Sequence, residues 1–372
     1  MPGLQVLHPS HDNSFMILLR NFLILSIFSL SWSCSVQSEG DPPITIKVVV
    51  VAMFEIGEVE GDRPGEFQYW VERLPLDETL EFPQGYSPLR LNREKGILGV
   101  TTGIGTQFST ATIMGLGMDP RFDLSEAYWL IAGIAGGDPE DTSPADAVWT
   151  DWAIDGDIGH EIDPREAPED WPTGYIPFRN KSPYQLPLPV EDQHWGVRYK
   201  LNPDLLRWAY SLTKDIELTS DDGSENLRKK FKDFAGAQHP SRVQIGGHIA
   251  AATYWHGALL NDWANGWVDY WTEGQSNYFT SAMEETGSLQ SLTRLDKAGK
   301  ADLNRVLSLR GVTNYTRPID SVSAYESLKG ETVGHYSAYI PTMENVYRTG
   351  SVVVDAILEN WEKYKDSIPS AE

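Results

Sequence analysis

Residues 44–53, ITIKVVVVAM, admit few structures. The β-branched side chains are stiff at χ1 and favour extended backbone. With no polar alternation after Lys47, the run reads as a strand buried on both faces, the situation of a parallel sheet covered by helices. A second strand is expected at 96–102 and a third at 127–135 (AYWLIAGIA), closed by Gly136-Gly137. Further strands are expected at 147–154, 243–253 and 306–313. Between them, 107–117 carries the small residues of a helix lying on a sheet. Asn202 caps a helix with Pro203 at its first position, running to about 216. Residues 283–295 suit another helix, and 342–364 a closing amphipathic one. Residues 220–237 are charged and read as a surface helix or loop. The stretch 156–189, rich in Pro, Trp, Asp and Glu, reads as a long ordered loop. Strands alternating with helices, with glycines at the strand ends, specify an α/β fold. No internal repeat divides the chain, so one domain is expected over 39–372.

Residues 1–38 are set apart. Arg20 precedes a short apolar run at 22–30, and small and polar residues lead to Ser38. That order describes a secretory signal peptide, or an uncleaved signal anchor, and places the protein outside the cell or at its surface. The run is shorter than the roughly 20 apolar residues of a comfortable span. No later segment resembles a span, which excludes a polytopic carrier. The sole cysteine, Cys34, lies in this segment, so no disulfide framework or Cys-based metal site is expected. His160-Glu161 and His248 lack a two-histidine helix spacing, and no metal is expected. With 30 Lys+Arg against 53 Asp+Glu, the net charge of −23 excludes a nucleic-acid polymer as partner.

The chemistry is expected at the strand ends, where open α/β sheets bind ligands. The first expected strand ends in Met53-Phe54-Glu55-Ile56-Gly57-Glu58, the second in Thr102-Gly103-Ile104-Gly105-Thr106, the third in Ala132-Gly133-Ile134-Ala135-Gly136-Gly137. Glycines there let a ligand approach the backbone. The absence of a following Lys-Ser/Thr rules out a P-loop. Together KVVVVAMFE, TTGIGT and IAGIAGGD, with the later SAMEETG and RGVTN, resemble the nucleoside phosphorylase/nucleosidase superfamily. Over nearly all of 44–370 the order of motifs looks like the fungal purine nucleoside permease family.

The resemblance implies a twisted mixed sheet flanked by helices, with a purine-nucleoside site at the strand ends. It implies that Gly103 and Gly105 lie near the ribose or its anionic neighbour, and that Ala135 and Gly136 lie against the base. In the Met283-Glu284 pair, the carboxylate would accept the 2′- and 3′-hydroxyls. Tyr254 and Trp255 would offer an aromatic face to the base, with core packing as the alternative. A homo-oligomer is also implied. Arg310-Gly311-Val312-Thr313-Asn314 matches an Arg-x-x-Ser-Asp pattern, but with Asn314 in place of the acid. Asn cannot protonate a departing purine at N7. It can hydrogen-bond N7 and an exocyclic oxygen, which suits 6-oxopurines.

Phosphorolysis needs a cationic phosphate pocket, and the position where phosphorylases carry an arginine is Ile131 here. Glu55 and Glu58 instead offer a base for water. Hydrolysis of the N-glycosidic bond, in support of nucleoside uptake, is therefore the expected activity, with no cofactor. Two alternatives stand beside it: phosphorolysis, with inorganic phosphate as co-substrate, and nucleoside binding or storage without catalysis. The tryptophan-rich stretch 255–271 reads as helix packing or a subunit interface, with a sugar-stacking platform as the sharper alternative.

Overall fold

The computed structural model describes residues 42–188, 196–330 and 335–371, and the expected signal segment lies outside them. The first half runs β1 (Ile44–Thr45), β2 (Val48–Ala52), α1 (Gln68–Arg73), β3 (Glu78–Leu80), β4 (Leu89–Asn92), β5 (Ile97–Thr101), α2 (Thr106–Gly117), β6 (Phe122–Asp123), β7 (Tyr128–Gly137) and β8 (Ala147–Asp155). A short hairpin, β9 (Gly159–Glu161) and β10 (Tyr175–Pro177), follows, then β11 (Arg198–Lys200), α3 (Pro203–Thr213) and α4 (Asp222–Lys230). The second half continues with β12 (Val243–Ala250), α5 (Ala258–Thr272), β13 (Tyr278–Ala282), α6 (Glu285–Lys297), β14 (Val306–Tyr315), α7 (Ala324–Gly330), α8 (Tyr339–Glu359) and α9 (Trp361–Tyr364).

The valine run sits at the heart of a ten-stranded mixed sheet. β2 pairs in parallel with β5 on one side and β7 on the other, and each of its five residues is buried. Its side chains divide by parity. Val48, Val50 and Ala52 join a core with α1, α3 and α8, whereas Val49 and Val51 join one with α2 and α6. At about 1.5–3 kcal/mol per fully buried aliphatic side chain, this strand alone ties both helical layers to the sheet.

β7 has partners along its whole length: β2 early, β14 throughout, and β13 at its last two residues. β14 also pairs with β8, β8 with β12 and β12 with β13, so five strands close into a ring. The expected mixed sheet flanked by helices is the observed fold. Outside the ring, the sheet ends at β3 on one edge and β11 on the other. Each edge strand is three residues long, with Glu78 held by Arg93 and Arg198 by Glu273.

Several elements differ from the sequence reading. The β3–β4 hairpin, α1 and β13 are strands and a helix too short to show a period. The closing helix breaks at Asn360 into α8 and α9. Asn202 does cap α3, its side chain accepting from Asp204 and Leu205.

Candidate functional site

The carboxyl ends of β2, β7, β12, β13 and β14 surround a cleft enclosing about 710 Å3 of space open to solvent. At its floor lies Arg310, fully buried on β14. Its guanidinium donates from Nε to Glu285 Oε1, and from Nη2 to Glu285 Oε2 at 2.7 Å and Glu284 Oε2 at 3.1 Å. Nη1 donates to the Ile134 carbonyl at 2.8 Å and lies 3.9 Å from Glu66 Oε1. One cation is thus shared by three buried carboxylates.

Their environments set them apart. Burial pushes Glu66 up to about 8, against the pull of Arg310. Burial also raises Glu284, again opposed by Arg310. The Gly105 N–H, donated to Glu284 Oε1 at 3.0 Å at the N-terminus of α2, favours its charge. Burial would raise Glu285 too, but Arg310 and His248 outweigh it and hold that carboxyl well below the usual range. His248, itself buried, places Nε2 2.8 Å from Glu285 Oε2, though out of line for a full hydrogen bond. Its Nδ1 meets the Thr280 hydroxyl at 2.9 Å. Burial lowers the imidazole, against the pull of the Glu285 carboxylate. The carboxylate calls for the proton on Nε2, leaving Nδ1 to accept from Thr280.

Glu66 reaches the cleft because of Glu55. Both Glu55 oxygens are taken by backbone N–H groups: Oε1 by Ile56 and Gly65, Oε2 by Phe67 and by Gln68 at 2.6 Å. This clamp fixes the chain as it enters α1 and turns Glu66 inward, where its oxygens accept from Met53 at 2.8 Å and Ile134 at 2.7 Å. Gly133 leaves room, since a Cβ there would lie 2.6 Å from Glu66 Oε1 and 2.7 Å from Arg310 Nη1. The expectation that Glu55 and Glu58 face the site is therefore corrected. Glu55 holds a loop, Glu58 is exposed, and neither lines the cleft. The first acids after the strand are not the ones that reach the cleft, because a ten-residue excursion, 56–65, carries the chain outward before Glu66 returns.

Of the other expected residues, Ala135, Gly136, Tyr254, Trp255, Met283, Glu284 and Asn314 all line the cleft. Gly103 and Gly105 do not. They form the turn before α2, both at positive φ (82° and 104°), and present the half-exposed Ile104 instead. Asn314 Nδ2 donates to the Tyr254 hydroxyl at 3.2 Å, and Oδ1 accepts from Thr313 Oγ1 at 2.9 Å. Thr313 and Asn314 both face the cleft although adjacent in a strand. A register shift against β7 between Val312 and Asn314 accounts for it, because a bulge re-aims a side chain that regular pleating would send away. Trp255 stands edge-on to Trp263, with centroids 5.7 Å apart, and so serves packing as well as lining.

The sequence profile of the purine nucleoside permease family matches residues 45–369. The chain belongs to that family. A purine nucleoside permease of Candida albicans is 27% identical over 330 residues, covering 86% of this chain and 77% of that one. Among solved structures, the Streptococcus pneumoniae MTA/SAH nucleosidase complexed with 8-aminoadenine is 13% identical, with a TM-score of 0.47, covering 84% of this chain and all of that one. The futalosine hydrolase of Helicobacter pylori is likewise 13% identical, with a TM-score of 0.47 and coverage of 84% and 98%. Among the described residues of this permease-family chain, no helix is long and apolar enough to cross a membrane.

Proposed function

We propose that the cleft binds a purine nucleoside and cleaves its N-glycosidic bond with water. What carries the reading is the set of buried carboxylates gathered on Arg310, in one cleft with the Asn314–Tyr254 pair. In this scheme Glu284 accepts the ribose 2′- and 3′-hydroxyls. Glu66, whose affinity for a proton lies near neutral, takes a proton from water as it attacks the anomeric carbon. Asn314 steadies the departing base at N7 and the 6-oxygen, with Ala135 and Gly136 lying against its face. Among the described lining residues Arg310 is the only Lys or Arg, and Glu284 and Glu285 already occupy it. A phosphate dianion entering beside them would meet net repulsion, which favours hydrolysis over phosphorolysis.

The family name associates its members with nucleoside permeation. An exported cleft of this kind would serve uptake by binding nucleosides and releasing their base. No cofactor is proposed. The test is to incubate the purified protein with inosine and with adenosine, with and without phosphate, and follow free base. Phosphate-independent release is expected. Release that requires phosphate would replace hydrolysis with phosphorolysis, and binding without release would reduce the role to capture.

A further inference from the structure

Regular pleating would send Thr313 and Asn314 to opposite faces of β14, and the register shift against β7 turns both towards the cleft. The shift lets one residue hold the other. A side-chain amide has nearly the same shape at both ends, so its hydrogen bonds decide which end meets a ligand. Asn314 Oδ1 accepts from the Thr313 hydroxyl at 2.9 Å. Nδ2 is thereby turned the other way, donating to the Tyr254 hydroxyl at 3.2 Å. It also lies on the side of Gly136, where an added Cβ would stand 3.7 Å from it. Tyr254 and Gly136 both line the cleft. Nδ2 carries two hydrogens; Tyr254 takes one, and the second is offered to a ligand.

In the reverse orientation Nδ2 would donate to Thr313 Oγ1. The single Thr313 proton would then have to go to the Ala135 carbonyl, 3.3 Å away, in place of the bond at 2.9 Å. The shorter bond favours the nitrogen towards the cleft. The amide therefore meets a base as a donor. The purine edge that carries N7 and the 6-substituent reads acceptor–acceptor in hypoxanthine and guanine, but acceptor–donor in adenine. A donor set against a 6-amino group leaves N–H facing N–H, both unpaired, which is the costly case. We propose that Thr313 sets the base preference of the cleft, its hydroxyl holding the Asn314 amide so that 6-oxopurines are taken over 6-aminopurines. Thr313 is a positioning residue, since it acts through Asn314. The inference rests on the nucleoside reading of the cleft and not on hydrolysis.

The experiment titrates carbocyclic inosine and carbocyclic adenosine into the full chain by calorimetry. A methylene replaces the ring oxygen of both, so no oxocarbenium ion can form and the base stays attached. The wild type should prefer the 6-oxo ligand by at least about tenfold, the worth of one misplaced hydrogen bond. Thr313→Val offers no partner to either end of the amide, which then follows the base, and the preference should fall to within about threefold. Thr313→Ala removes the same hydroxyl with less bulk and should do likewise, whereas Thr313→Ser keeps the hydroxyl and should keep the preference. Tyr254→Phe should keep it too, because the Thr313–Asn314 bond survives. An unchanged preference in Thr313→Val and Thr313→Ala would overturn the proposal. So would a loss in Thr313→Ser equal to that in Thr313→Val, which would make packing the cause, or a loss confined to Tyr254→Phe. Equal binding of the two ligands by the wild type would overturn it and leave the nucleoside reading standing. Binding of neither would sink that reading and the proposal with it.

Discussion

Glu66 and Glu284 flank the same guanidinium but are asked for opposite things, one to take a proton and one to hold hydroxyls. Replacing Glu66 with Gln keeps the shape and removes the base. The cleavage rate should fall by about 10²–10⁴ with little change in KM. Because the carboxylate form is the active one and its midpoint lies near 8, the wild-type rate should climb as pH rises towards 8. The variant should show no such limb, and retention of the limb would assign the base elsewhere. Glu284→Ala removes the acceptor for two hydroxyls and leaves Arg310 short of a partner. Nucleoside affinity should drop by at least about tenfold, measured by calorimetry. Asn314→Asp supplies a proton donor where an amide stood, so the preference for inosine over adenosine should shift towards adenosine in a competition assay. The positions lining the cleft were legible because strand-end glycines and the Met-Glu and Arg-x-x-Thr-Asn spacings are local patterns. Glu66 was not, because what brings it inward is a clamp from Glu55, eleven residues earlier, and backbone hydrogen bonds leave no trace in residue spacing.

The pairing of α2 with α6 decides where Glu284 sits, since Gly105 and Glu284 stand at their adjoining N-termini. The two helices meet at Gly287, where an added Cβ would collide with the Ser109 hydroxyl and the Thr106 carbonyl. Gly287→Ala should therefore cost about 1–3 kcal/mol of stability by denaturant unfolding, through overpacking. It should also weaken nucleoside binding, because the wedge separates Glu284 from the Gly105 N–H. Unchanged affinity in a destabilised variant would show that the two helix starts move together. Elements of this kind divide by how much of their reason is local. β2, β7 and β14 were readable because a strand buried on both faces is apolar throughout. β13 was not, since three of the five residues in YFTSA carry hydroxyls and the strand takes its place only between β12 and β7.

Across the whole molecule, burial has left several acids with raised proton affinity: Glu66 and Asp146 to about 8, Asp141 and Asp155 to about 6. Between the ordinary carboxylate range and those values the folded state holds protons that the unfolded chain has released. Stability therefore falls as pH rises through that window. Glu285 acts in the opposite sense, stabilising above the ordinary carboxylate range and losing that contribution on acidification. His239, His248 and His256, lowered by burial, act against this below their ordinary value of 6.5, where the unfolded chain takes up protons that the folded chain refuses. Above that range the acids act alone, so the thermal midpoint should fall from pH 7 to pH 8. A midpoint that rises over that interval would contradict these assignments. The net charge of −23 adds self-repulsion in the same direction. Added salt at pH 8 should recover that surface part while leaving the buried acids' part in place.

The two ends of the sheet carry a last consequence. β3 and β11 are three residues long, and the charged Glu78, Arg198 and Lys200 stand on them. An incoming strand would find too short a ladder of open donors and acceptors to anneal, and it would have to bury those charges to do so. Copies of this protein crowded together in a concentrated sample thus find little to grow on at either end of the ten-stranded sheet.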